Sequence, residues 1–80
     1  MGQIIYVQVS STSNPDWAAD LAADLRRAGM QASVLSPQSQ EEPYRVVLGP
    51  YANREDAEAT RRRLNMPSWI FTQDTSQNRQ

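Results

Sequence analysis

Apolar and polar residues alternate from near the start of the chain. Ile5, Val7 and Val9 take turns with Tyr6, Gln8 and Ser10, the period of a half-buried strand over residues 4–9. The period then changes. Trp17, Ala18, Leu21, Ala22, Leu25 and Ala28 recur at helical spacing behind Asn14-Pro15-Asp16, a cap, a proline and an acid in the order a helix start favours. Gly29 is the expected left-handed stop, so the pattern predicts a helix over residues 15–28. A second strand follows at residues 31–35, with Ala32 and Val34 on one face. Residues 36–43 (SPQSQEEP) form a polar, proline-bracketed loop with nothing to bury.

The same succession then returns. Residues 44–48 read as a third strand whose Tyr44, Val46 and Leu48 share a face, and Gly49-Pro50 is expected to end it. Asn53 caps a second helix running to about residue 65, with a weak apolar face of Ala57, Thr60 and Leu64 and an i, i+4 pair of Glu58 with Arg62. Residues 68–72 make a fourth strand. An offset of 39 residues superposes Val7 on Val46, Val9 on Leu48, Asn14 on Asn53, Ala18 on Ala57 and Leu25 on Leu64. Two such βαβ units intercalate into an α+β split-βαβ sandwich (βαββαβ, ferredoxin- or RNP-like). Four antiparallel strands carry both helices on one face and leave the other open. Residues 1–3 are a lead, residues 4–72 the domain, and residues 73–80 a polar tail expected to be disordered.

Alternation assigns the open face. With Ile5, Val7, Val9, Val46, Leu48 and Ile70 turned to the helices, Tyr6, Gln8, Arg45, Val47, Trp69 and Phe71 turn outward, and Ser11 closes the first strand. Aromatic plates beside amide, hydroxyl and guanidinium groups suit a flat or amphipathic ligand. Each residue also has a plainer reading. Trp69 and Phe71 suit a strand resting on a loop, Gln8 a wet strand, and Arg45 a cross-strand partner for an acid. Trp17 reads as the edge of the core. Arg61-Arg62-Arg63 reads as a solvated helix end, and Asp16, Asp20 and Asp24 as an exposed stripe on which nothing converges.

Composition narrows the chemistry. The 80 residues contain no cysteine and no histidine, which removes thiol nucleophiles, Cys-based zinc sites and the usual general base. No catalytic residue, metal site or cofactor is expected. Eight arginines against nine acids give a formal charge of −1, unlike the basic balance of a nucleic-acid binder. No apolar run approaches the ~20 residues of a membrane span, so no membrane insertion is expected. A glycoside hydrolase needs two carboxylates across a cleft, and Glu41 and Glu42 sit side by side in the polar loop.

Four segments of residues 4–72 resemble the SPOR (sporulation-related repeat) domain. Tyr6-Val7-Gln8-Val9-Ser10-Ser11 is similar to its V-Q-[VL]-G-[SA]-[FY] strand. Asn14-Pro15-Asp16-Trp17-Ala18 with Leu21, Leu25 and Ala28-Gly29 is similar to its first helix. Tyr44-Arg45-Val46-Val47-Leu48-Gly49-Pro50-Tyr51 matches its Y-R-V-x-[VIL]-G-P-[FY] strand, and Asn53-Arg54-Glu55-Asp56-Ala57 with Leu64 its second helix. Ser10 departs from the family's glycine and Thr12 from its aromatic. The resemblance implies a non-catalytic module of the bacterial cell envelope, on the periplasmic or cell-wall side. It would bind peptidoglycan, favour glycan strands stripped of stem peptides, and direct a parent protein to the division septum. It carries ligand contacts to Gln8, Ser11 and Arg45, and to Trp69 or Phe71. The expected partner is a glycan strand bound by a monomer. The alternative is a protein-interaction module of the envelope.

Overall fold

The computed structural model describes residues 2–74. The elements run β1 (Gln3–Thr12), α1 (Pro15–Arg27), β2 (Ala32–Leu35), β3 (Tyr44–Tyr51), α2 (Arg54–Arg63) and β4 (Trp69–Asp74). The strands form one sheet in the order β2-β3-β1-β4, each neighbouring pair antiparallel. This is the α+β split-βαβ architecture that the two repeated units imply, with the first strand of each unit at the centre.

Both helix starts are capped as their sequences predict. The Asn14 side-chain oxygen accepts from the Asp16 and Trp17 amides at 2.9 and 3.1 Å, and that of Asn53 from the Asp56 amide at 2.8 Å. At the far end of α1, Gly29 takes φ +92°. Its N–H bonds the Arg26 carbonyl and that of Met30 the Leu25 carbonyl, both at 3.0 Å, a Schellman closure with Met30 and Leu25 on the core side.

The core lies between the helices and one face of the sheet. Val7, Val9, Val46 and Leu48 meet Ala18, Ala22, Leu25 and Ala57, with Ile5, Leu21, Met30, Tyr44, Leu64 and Ile70 packed around them. Fully buried alanines at 18, 22 and 57 let the helices approach the sheet closely.

Several boundaries differ from the expectation, each for a local reason. β1 runs on to Thr12, because its backbone continues to pair with Tyr44 and Arg45. β3 does not stop at Gly49-Pro50 but passes through it to Tyr51. There β1 pairs Ile5 with Tyr51 and Val7 with Leu48, so two steps on β1 face three on β3. Gly49 absorbs the extra residue at φ +117°, and the proline, joined by a cis peptide bond, falls where the ladder is already interrupted. β4 extends beyond Thr72: Gln73 and Asp74 pair with Ile4 and Gln3. Backbone pairing at an edge needs no apolar side chain, so Gln73 and Asp74 belong to β4 and not to the expected tail; residues 75–80 lie outside the described residues. Glu58 pairs with Arg61 at 3.1 Å and with Arg54 at 3.9 Å rather than with Arg62. Trp17, read as core edge, is 49% exposed.

Candidate functional site

The helices cover one face of the sheet and leave the other open. Residues directly opposite on neighbouring strands project to the same side. Gln8 of β1 faces Val47 of β3 and Trp69 of β4, and Tyr6 faces Phe71. Since Val7 pairs with Leu48 and Ile70 in the core, these partners all lie on the open face. Ser33 of β2, opposite Val47, and Leu35, opposite Arg45, belong there too. The phase of β2 already carries that signal, because they alternate with Ala32 and Val34.

Simple alternation would align Ser10 with Gln8. Instead β1 bulges: Gln8 pairs with Val47, Ser10 with Val46 and Ser11 with Arg45, so the partner advances one residue while β1 advances two. The bulge brings Ser11, rather than Ser10, opposite Arg45. Nothing in the residues Val9-Ser10 announces it; strict alternation turns Ser10 outward with Tyr6 and Gln8, and the bulge corrects that by pairing Ser10 with the core residue Val46.

The side chains form a connected set. The Arg45 guanidinium donates from Nη1 to Gln8 Oε1 at 3.0 Å and lies 4.5 Å above the centre of the Phe71 ring. Phe71 stacks in turn on Tyr6, with ring centres 6.5 Å apart and planes inclined by 30°. Trp69 is 54% exposed on the same face. Stacking and hydrogen bonding together fix a side chain that would otherwise lose about 2 kcal/mol of rotamer entropy on being held. Among the described residues one guanidinium N–H is given to Gln8, leaving four of the five donors for an acceptor outside this pair.

Val47 is the exception among the expected contacts. It lies on the open face but is fully buried, so a ligand does not reach it. Its strand neighbour Arg45 and cross-strand partners Gln8 and Ser33 flank it, making Val47 the apolar floor beneath the polar contacts.

Arg45 and Phe71 also line a cleft of about 210 Å³, with Leu35, Ser36, Gln38, Glu42, Gln73 and Asp74. Residues 36–43 thus do more than connect two strands: their Gln38 and Glu42 wall the open face. The loop is held by a bond from the Gln38 amide to Glu42 Oε1 at 3.1 Å and from the Glu42 amide to the Ser39 carbonyl at 3.2 Å. Polar composition marks residues 36–43 as a loop but gives no direction in which it folds. Among the described residues no three histidine, cysteine or acidic side chains gather as metal ligands, and no helix is long and apolar enough to cross a membrane.

The arrangement offers an extended track along β1: Tyr6 beside Phe71 at one end, Gln8 beside Trp69 in the middle and Ser11 opposite Arg45 at the other, with the Arg45 guanidinium reaching back to Gln8 and Phe71. Comparison with known families finds the SPOR domain over residues 2–72. That domain is a peptidoglycan-binding, septum-targeting module of the cell envelope and is not catalytic. No curated protein and no solved structure matches the chain.

Proposed function

The chain belongs to the SPOR domain family, and from that premise we propose that its open sheet face holds peptidoglycan glycan strands freed of their stem peptides, so directing the protein that carries it to the division septum. The observation that carries this reading is the pinning of Arg45 between Gln8 and Phe71 on the uncovered face.

Removing a stem peptide converts an amide into a lactyl carboxylate. A guanidinium binds a carboxylate through charge-assisted, bidentate hydrogen bonds and a neutral amide only through single ones. Arg45 therefore favours the denuded strand at the lactyl group, where the amide has become a carboxylate. Gln8 and Ser11 can donate and accept, matching N-acetyl and hydroxyl groups, while Trp69 and Phe71 offer flat apolar surfaces to sugar rings. Affinity should be modest, since each polar contact replaces one made to water. The module acts as a binding monomer, with no step of chemistry of its own.

The test is co-sedimentation of the purified domain with intact sacculi and with amidase-treated sacculi. Retention should rise on the treated material and fall in Gln8→Ala and Arg45→Ala. Equal retention of wild type and both variants would remove the open face from the binding site and favour an envelope protein as the partner.

A further inference from the structure

Of the two tryptophans in the chain, Trp69 stands on the open face, but Trp17 has no part in the site described above. It occupies the first turn of α1, is 49% exposed, and lies outside the group of side chains packed on the core. An indole placed for stability would be buried, because the hydrophobic gain scales with area removed from water. The turn beneath it is well held. The Asn14 amide donates to the Thr12 hydroxyl at 3.1 Å, and Asn14 Oδ1 accepts from the amide of Trp17 itself at 3.1 Å. With Ser11, Thr12 and Asn14, Trp17 lines a shallow groove of about 340 Å³. Ser11 belongs to both regions, since it also sits opposite Arg45 at the end of the sheet track.

We propose that the glycan track leaves the sheet at Ser11 and continues over the turn between β1 and α1, where Trp17 stacks against one further sugar ring of the same strand. This rests on the glycan-binding reading of the open face. A single flat apolar plate rimmed by a serine, a threonine and an asparagine matches a sugar ring, which has an apolar C–H face and a hydroxyl edge. It matches a hydrophobic peptide poorly, since no second apolar side chain lines the groove. Asn14 spends its oxygen on the helix cap, which leaves its NH₂ group for the ligand, and the Thr12 hydroxyl can still donate its proton.

Having only two tryptophans makes the test direct. Trp69→Phe leaves Trp17 as the sole indole, and Trp17→Phe leaves Trp69. Each variant is titrated with size-fractionated denuded strands released from amidase-treated sacculi, and in parallel with peptide-bearing strands from untreated sacculi, following tryptophan emission. The expected result is a length threshold: the shortest strands that shift Trp69 emission leave Trp17 emission unchanged, and longer strands shift both. Trp17→Ala should weaken binding of the long strands about tenfold and leave binding of the shortest unchanged. If Trp69 responds to strands of every length and Trp17 to none, with Trp69→Phe still sedimenting with amidase-treated sacculi, the extension is overturned while glycan binding at the sheet stands. A Trp17 response confined to peptide-bearing strands would assign the groove to the stem peptide and also overturn it. If neither indole responds and the domain does not sediment, both readings fall.

Discussion

Arg45 shows how a surface residue can be prepared for a ligand before the ligand arrives. Its guanidinium is placed by two side chains from other strands, Gln8 by a hydrogen bond and Phe71 by its ring face. Removing either partner should therefore weaken binding twice, through its own lost contact and through a freed arginine. Gln8→Ala and Arg45→Ala should each reduce retention on denuded glycan. The double variant should lose less than the two single losses added together, a non-additivity that a double-mutant cycle on sedimentation affinities would reveal. Simple addition would mean that the two contacts act independently. The effect on stability should stay within about 1.5 kcal/mol for each single variant, the net worth of one part-buried hydrogen bond. Arg45→Lys should not restore binding, since an ammonium presents no planar fork to a carboxylate and stacks less well on Phe71. Recovery of wild-type retention by the lysine variant would show that charge alone is read.

At the scale of elements, alternation made the two faces legible, and irregularities limited how far it could be followed. Tyr6, Gln8, Trp69 and Phe71 could be assigned to one side because their strands keep strict phase from residue 5 to 8 and from 69 to 72. The bulge at Val9-Ser10 could not be read, because neither residue is one that only a bulge accommodates. Gly49-Pro50 misleads in the other direction. A proline usually ends a central strand, yet here it occupies a point where the partner strand has no residue to pair. The burial of Val47 was equally hidden, since alternation assigns it to the open face and nothing in its own identity says that its neighbours leave it no exposed surface. The second irregularity makes a prediction of its own. Gly49→Ala would force an L-residue to φ +117° and set its Cβ 2.9 Å from the Tyr51 ring. Strain of this kind is worth about 1–3 kcal/mol, so the thermal midpoint should fall by several degrees. An unchanged midpoint would mean that β3 can re-register past Pro50 without loss.

In the whole molecule, two layers divide the work between stability and binding. Helices cover one side of the sheet only, so each strand contributes alternate residues to a core and to an open surface. The core is thin. It consists mainly of valines and alanines, and Leu25 is one of its few large side chains. Leu25→Ala should cost about 2–5 kcal/mol, a large share of the ~5–15 kcal/mol typical of a domain. The midpoint of this small domain should then drop by more than about 10 °C. Leu25 lies behind the sheet, whereas Gln8, Arg45 and Phe71 lie in front of it. At a temperature where the variant is still folded, its retention on denuded glycan should match the wild type, while Arg45→Ala loses retention with a smaller fall in its midpoint. The pair of measurements, melting by circular dichroism and sedimentation in the cold, separates the two layers. Loss of cold binding by folded Leu25→Ala would mean that the curvature of the open face is set by helix packing, so that the strands alone do not fix the distances between Gln8, Arg45 and Phe71.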